Sequence, residues 1–366
     1  MKIAHVVDSM EVGGAETLVS QLCELQREQG HDPSVYAIGA LGPIGERMQR
    51  DGFRVQARVG RHLSDATRSF YSLFQELRPD AVHLHNPTPT VYAAMAARTA
   101  GVPSIVSTRH SLVARPRRLV VELKYAVAAC FCDWISVICD ATADNIRSIH
   151  SVPARKIKRI YNGALPLTRS AEKERPAKKG FTLLYVGRLA PVKNHALMLN
   201  AFCQALTSMP ELQLWMVGDG SERGLLESMA AQLGIAQNVT FWGQQMDVAP
   251  YYSAADSFIM SSTSEGLPIS LLQSFSLALP AIVTEVGGMA EAVKLARAGI
   301  TVPVADSGAM AAAILRMAGD ERARAQFAAN AEAAFHAHFT IQAMSDSYME
   351  LYLDTPRARD KRGRRG

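Results

Sequence analysis

Short apolar runs alternate with helix-length segments along nearly the whole chain, and this rhythm restricts the fold more than any other feature. Residues 2–8 (KIAHVVD) read as a buried strand, Ser9–Gly14 as a loop, and 15–29 as a helix with Leu18, Leu22 and Leu25 on one face. Further strands are expected near 33–38, 53–57, 81–85, 104–108, 134–138 and 157–161. Strand followed by helix, many times over, predicts a parallel sheet covered on both faces. The rhythm then breaks. Asn162-Gly163 is a turn signal, and 166–180 is polar and rich in Lys and Glu, as a linker would be. A second set of strands follows near 181–187, 212–217, 239–242, 257–260, 281–284 and 299–302, and after them the pattern is helical. The expected organisation is α/β throughout. A first domain spans 1–165, a linker 166–180, a second domain 181–340 and a last helix 341–353, with Met344, Tyr348, Leu351 and Tyr352 at helical spacing. The tail 354–366 has almost nothing to bury and is expected to be disordered.

Composition narrows the class. A chain of 366 residues with 48% hydrophobic content can build two cores. Its five cysteines form no CxxC pair and no zinc spacing, which suits reduced thiols. The opening MKIAHVVD has no basic region followed by a long apolar core, so no secretory signal is expected. The most apolar region, 119–139, is broken by Glu122, Lys124 and Asp133, short of the ~20 residues a spanning helix needs. A cytoplasmic protein, soluble or peripheral, is the expectation. Residues 1–165 carry 20 basic against 15 acidic side chains, whereas 166–353 carry 13 against 17. Arg109, Arg115, Arg117, Arg118 and Lys124 cluster in the first half, either as a solvated face or as a contact for an anionic membrane surface. The basic tail lacks stacking aromatics, which argues against nucleic acid.

In open α/β sheets ligands bind beyond the carboxyl ends of strands, so the loops there hold the candidate site residues. Gly13-Gly14 lies between the first strand and helix, where backbone N–H groups can approach a phosphate. His110 follows a strand in STRHS. Arg188 and Lys193 follow the first strand of the second half and can neutralise a diphosphate, Arg as a planar fork and Lys as a point charge. Asp219, between two glycines, either accepts hydrogen bonds from a ligand or shapes its turn. In the stretch 261–288, Glu265 stands just before a helix that Pro268 opens, and Gln273 lies on that helix, so one loop and one helix can present both side chains to one ligand. No DxD metal motif accompanies Asp256, so no metal is expected and cationic side chains would serve in its place.

Together GGAE at 13–16, the histidine of STRHS, YNG at 161–163, GRL…KN at 187–194, GDG at 218–220, AADSF at 254–258, EGLP…LLQ at 265–273 and VGG…E at 286–291 resemble the retaining nucleotide-sugar glycosyltransferases of family four. The likeness covers about residues 2–353. It implies a GT-B architecture: two Rossmann-like domains facing each other across a cleft, acceptor held mainly by the first and donor by the second, with the last helix crossing back to the first. It further implies Arg188 and Lys193 on the diphosphate, Gly14 lending a backbone N–H, Glu265 and His110 at the transferred sugar, and Gly266, Leu267, Pro268 and Ile269 placing amides against sugar and phosphate. The base-recognition strand maps near Trp242, Gly243 and Val248. The family's second acidic residue, which receives the ribose, is Gln273 here, so the expected ribose contact is neutral. The implied reaction moves a sugar from a nucleotide diphosphate sugar, a UDP-sugar by preference, to a glycan or lipid-linked acceptor with retention, without cofactor or metal. Two other readings stay open: an epimerase or phosphorylase on the same fold, and a nucleotide-sugar binding protein without turnover.

Overall fold

The structure, a computed structural model, describes residues 1–57, 63–110, 119–149 and 151–355. Arg115, Arg117 and Arg118, and the tail from residue 356, lie outside the described residues. The chain divides into two compact units: Met1–Gly163 together with the segment from Ile341, and Ala164–Thr340.

In the first unit seven strands, β1 (Lys2–Val7), β2 (Asp32–Ala37), β3 (Arg54–Ala57), β4 (Ala81–His85), β5 (Ser104–Arg109), β6 (Trp134–Val137) and β7 (Ile157–Arg159), form one sheet in the order 3-2-1-4-5-6-7. Every ladder is parallel. The central runs are buried on both faces, which is why all five residues of β4 are buried although its sequence is AVHLH. One face packs Phe70, Phe74, Ala93, Ala97 and Tyr125 against Val82, Leu84 and Ile105. The other packs Val19, Cys23 and Met48 against Val7, Val35 and Val55. The final helix, Ile341–Leu353, belongs to this unit and buries Met344, Tyr348, Leu351 and Tyr352. Each such large side chain contributes ~1.5–3 kcal/mol on burial, and the helix is registered by polar contacts as well. Tyr352 Oη lies 2.7 Å from His83 Nδ1 and Tyr348 Oη 3.0 Å from Thr108 Oγ1.

In the second unit six strands, β8 (Thr182–Val186), β9 (Gln213–Val217), β10 (Val239–Gly243), β11 (Ser257–Met260), β12 (Ala281–Thr284) and β13 (Gly299–Val302), repeat the plan in the order 10-9-8-11-12-13, again all parallel. The strand order reverses between β8 and β11 here and between β1 and β4 in the first unit. At those reversals the helices leave in opposite directions and open a crevice beyond the strand ends.

Residues 166–180 read as a linker, yet they are fastened to the second unit. Leu167 N–H donates to Ser276 Oγ (3.1 Å), Ser170 N–H to Ser253 Oγ (3.0 Å) and the Arg169 guanidinium to Leu277 O (3.0 Å). The polar composition is real, but it serves backbone and side-chain hydrogen bonds made with residues 80 to 110 positions away in sequence, which local pattern cannot show. No helix among the described residues is long and apolar enough to cross a membrane.

Candidate active site

The second unit gathers most of the candidate residues at its switch point. The loop after β8 carries Arg188 and Lys193, and the loop after β11 carries Glu265. Three hydrogen bonds dock one loop on the other: Ser261 Oγ donates to Lys193 O and Asn194 O, both at 2.9 Å, and Thr263 N–H to Val192 O, also at 2.9 Å. Ser262 is in turn held from β12, its carbonyl accepting from Thr284 Oγ1 (2.6 Å). Asn194 sits at φ 50°, a left-handed conformation that turns the chain into the helix His195–Leu206. On this frame Lys193 Nζ and Glu265 Oε2 meet at 2.7 Å, each side chain 17% exposed. The two residues singled out separately for diphosphate and sugar are thus an ion pair.

Glu265 is fixed from behind as well. Gly287 has φ 50°, and a Cβ there would overlap the Glu265 carbonyl oxygen, so only glycine lets the Glu265–Gly266 backbone lie against the helix Gly287–Ala296. Leu267 is buried, and Pro268 caps the helix Ile269–Ser276 from outside rather than opening its first turn, with ψ 132°. The first N–H groups of that helix have no intrahelical acceptor and carry its positive dipole end. Gln273 is half-buried one turn on, with no polar side-chain contact among the described residues. Arg188 is exposed, and its carbonyl accepts from Tyr185 Oη at 3.0 Å.

Asp219 is placed differently from the other candidates. Its Oδ1 accepts from Gly220 N–H (2.7 Å) and its Oδ2 from the Arg223 guanidinium (2.9 Å), and these bonds hold its carboxyl below the usual range. It shapes its own turn. Gly218 and Gly220 are required there, since a Cβ on either would overlap the carbonyl of Gly187 or of Leu189. The sequence reading missed Arg223, whose guanidinium also lies 3.1 Å from the position a Cβ would take on Gly243, at the end of β10. It therefore adds a half-buried cation, paired with Asp219 and Glu227, beside the strand end where Trp242 stacks edge-on against Trp215 (5.8 Å) and Tyr251 (5.1 Å).

In the first unit Gly14 opens the helix Gly14–Glu28 with no side chain within 4 Å of where a Cβ would sit, so packing does not account for the glycine. His110 follows β5, its backbone N–H donating to Asn86 Oδ1 (3.1 Å). Its ring joins three histidines the sequence reading did not single out: His5 on β1 and His83 and His85 on β4. Burial pushes His5 and His110 down to about 4 and holds His83 and His85 well below the usual value, so all four rings are neutral at pH 7. The signal was present as HLH in AVHLHN, because alternate strand residues share a face. His5, His83 and His85 bring ring nitrogens within 4.8 Å of one another, close enough to consider a cation. Yet both nitrogens of each ring already face a hydrogen-bond partner, and no carboxylate joins them among the described residues.

Tandem doubly wound α/β units, with cations and a carboxylate converging at the switch point of the second, define the GT-B class of fold. The fold neighbours agree. Anabaena HepE, solved with UDP, superposes with a TM-score of 0.85 over 96% of this chain and 99% of that one at 19% identity. The lipopolysaccharide glycosyltransferase WaaG follows at 0.72, over 94% and 98%, at 17% identity. The model for glycosyl transferases group 1 matches residues 168–334, and that for glycosyltransferase family 4 matches 12–164. The chain belongs to glycosyltransferase family four. Among curated relatives, the lipopolysaccharide core biosynthesis glycosyltransferase LpsE of Rhizobium meliloti is 31% identical over 43% of this chain and 46% of its own length. The UDP-Gal:alpha-D-GlcNAc-diphosphoundecaprenol alpha-1,3-galactosyltransferase of Escherichia coli is 25% identical over 78% of each.

Proposed function

We propose that this glycosyltransferase moves a sugar from a UDP-sugar to a hydroxyl of a lipid-linked or glycan acceptor, with retention and without a metal, in the assembly of a surface polysaccharide or glycolipid. The observation that carries the reading is the Lys193–Glu265 pair across the switch point, with exposed Arg188 on the same loop as Lys193 and a helix N-terminus after Glu265. Charge grows on the diphosphate as it leaves, and preorganised cations and N–H groups aimed at that charge lower the barrier. Lys193 would exchange Glu265 for a phosphate oxygen on donor binding, freeing the carboxylate to accept from a sugar hydroxyl. Gly266–Ile269 would present amides, and Gln273 a neutral contact to the ribose. Gly14 would offer its N–H to the phosphate and His110 would touch the sugar. Asp256, which no DxD motif accompanies, accepts from Thr182 N–H (2.8 Å) and Lys178 Nζ (2.7 Å). Same-face substitution, with the leaving phosphate taking the acceptor's proton, needs no further base.

Attachment at a membrane surface is supported by the first unit. The helices Leu63–Leu77, Pro87–Thr99 and Leu119–Ala129 border an apolar groove of about 800 Å³ lined by Leu63, Tyr71, Met95, Leu123, Val127 and Phe131, with Arg68 and Lys124 among its polar lining. Leu123 and Val127 are 67% and 58% exposed. Such a face suits lipid tails beneath anionic headgroups. The names of the relatives, which concern lipopolysaccharide core and a diphosphoundecaprenol-linked acceptor, point the same way.

The test is a donor screen followed by product analysis: UDP release from UDP-sugars, with and without chelator, and the anomeric configuration of the product by NMR. Retained configuration with chelator-insensitive turnover is expected. An inverted product, an epimerised sugar nucleotide, or release of a sugar phosphate on adding phosphate would each overturn it. Replacing His110→Ala is expected to lower turnover about tenfold, while unchanged turnover would remove the sugar contact from His110.

A further inference from the structure

Four side chains of the first unit stand in file. Gln26 Oε1 is 2.9 Å from His5 Nε2, His5 Nδ1 is 3.0 Å from His85 Nε2, and His85 Nδ1 is 3.0 Å from His110 Nε2. Gln26 and His5 are wholly buried and His85 is 2% exposed. A neutral imidazole has one N–H and one lone pair, so the polarity of the first hydrogen bond fixes every later one. Gln26 Oε1 only accepts. His5 therefore donates from Nε2 and offers a lone pair at Nδ1, His85 donates to it from Nε2, and His110 donates to His85 from Nε2. The file ends at His110 Nδ1, which is buried and has no hydrogen-bond partner among the described residues.

We propose that Gln26, His5 and His85 are positioning residues that hold His110 in its Nε2–H tautomer, leaving the buried Nδ1 lone pair as the ring's open acceptor, which a hydroxyl of the bound sugar reaches once the atoms over it give way. The sugar contact rests on the reading given under Proposed function. The reverse polarity would need the Gln26 amide turned over, so that its Nε2 faced His5, and would place an unpartnered N–H at His110 Nδ1; in the orientation observed Gln26 Nε2 is the buried donor left without a partner among the described residues. The rings are also held in orientation. His85 stacks on His110 with centroids 5.3 Å apart and lies 4.0 Å from His83, which is itself pinned between Tyr352 Oη (2.7 Å) and Thr108 Oγ1 (2.6 Å). An acceptor at this point selects a sugar with a free hydroxyl there over the deoxy or O-methyl analogue.

Nitrogen-15 histidine spectra of the full, ligand-free chain at pH 7.5, assigned by single replacements, read the tautomers directly. Protons on Nε2 of His5, His85 and His110 are expected, and a proton on His110 Nδ1 would overturn the proposal. Because no ligand is present, this outcome is independent of whether His110 touches sugar. Gln26→Leu removes the terminal acceptor and is expected to mix the tautomers of His110 and to lower turnover about 2–10-fold, with UDP affinity unchanged. A single unchanged His110 tautomer in Gln26→Leu would refute the role of the file, and should that variant fail to fold, the wild-type spectrum decides alone.

Discussion

Replacing Glu265→Gln separates the two partners of the switch-point pair. Lys193 Nζ is held at 2.7 Å by the carboxylate, and the pair is only 17% exposed on each side. A hydrogen bond between charged partners contributes ~1.5–3 kcal/mol and one to a neutral acceptor ~0.5–1.5 kcal/mol. With the partial solvent screening of this site the lower ends apply. The amide therefore releases Lys193 about 1 kcal/mol more cheaply, and UDP, which has no sugar to lose, should bind roughly fivefold tighter. The UDP-sugar loses its contact with the carboxylate, so kcat/KM should fall at least about tenfold. Calorimetric titration with UDP, alongside UDP release from the best donor, reads both. Weaker UDP binding in the variant would refute the exchange of partners at Lys193, and unimpaired transfer would refute the sugar contact of Glu265.

Further outcomes follow from the same geometry. Gln273→Glu supplies a charged acceptor at the ribose position and should tighten donor binding about fivefold without altering sugar selectivity, whereas weaker binding would move the ribose elsewhere. Gly287→Ala forces a Cβ against the Glu265 carbonyl at φ 50° and should lower both thermal stability and donor affinity, by about 1–3 kcal/mol in stability; an unchanged melting curve would mean the loop shifts freely. His5 and His110 have folded values depressed from 6.5 to about 4, so the unfolded chain binds more protons between those limits. Stability is therefore complete above about pH 6.5 and falls as pH drops toward 4, by a few kcal/mol in all; melting temperatures that stay level from pH 7 to pH 5 would contradict this. Leu123→Glu with Val127→Glu should abolish flotation with anionic vesicles, and undiminished flotation would assign membrane contact to another face.

The strand rhythm was legible because the central runs, β4, β5, β11 and β12 among them, are buried on both sides of a parallel sheet, and burial of that kind leaves its mark on every residue of the run. The candidate site was legible in part. Arg188, Lys193 and Glu265 could be placed at strand ends, since loops there follow from the alternation alone. That Lys193 and Glu265 pair could not be read, because 72 positions separate them and the strand order that joins β8 to β11 is a tertiary fact. Residues 166–180 looked like a linker because polar composition does not distinguish solvent from hydrogen-bond partners on a neighbouring helix. The histidine file was overlooked for a related reason. His5 and His85 sit in runs that otherwise signal core, and only the pairing of β1 with β4 brings their rings together.

The central claim is that the cations after β8 and the carboxylate after β11 hold a nucleotide sugar. Thermal melting across a panel of sugar nucleotides tests it most directly, since a ligand at 100 times its dissociation constant stabilises by ~2.7 kcal/mol. A rise of several degrees with at least one UDP-sugar, lost in both Arg188→Ala and Lys193→Ala, is the predicted result. No rise with any sugar nucleotide, or a rise that survives both replacements, would contradict it.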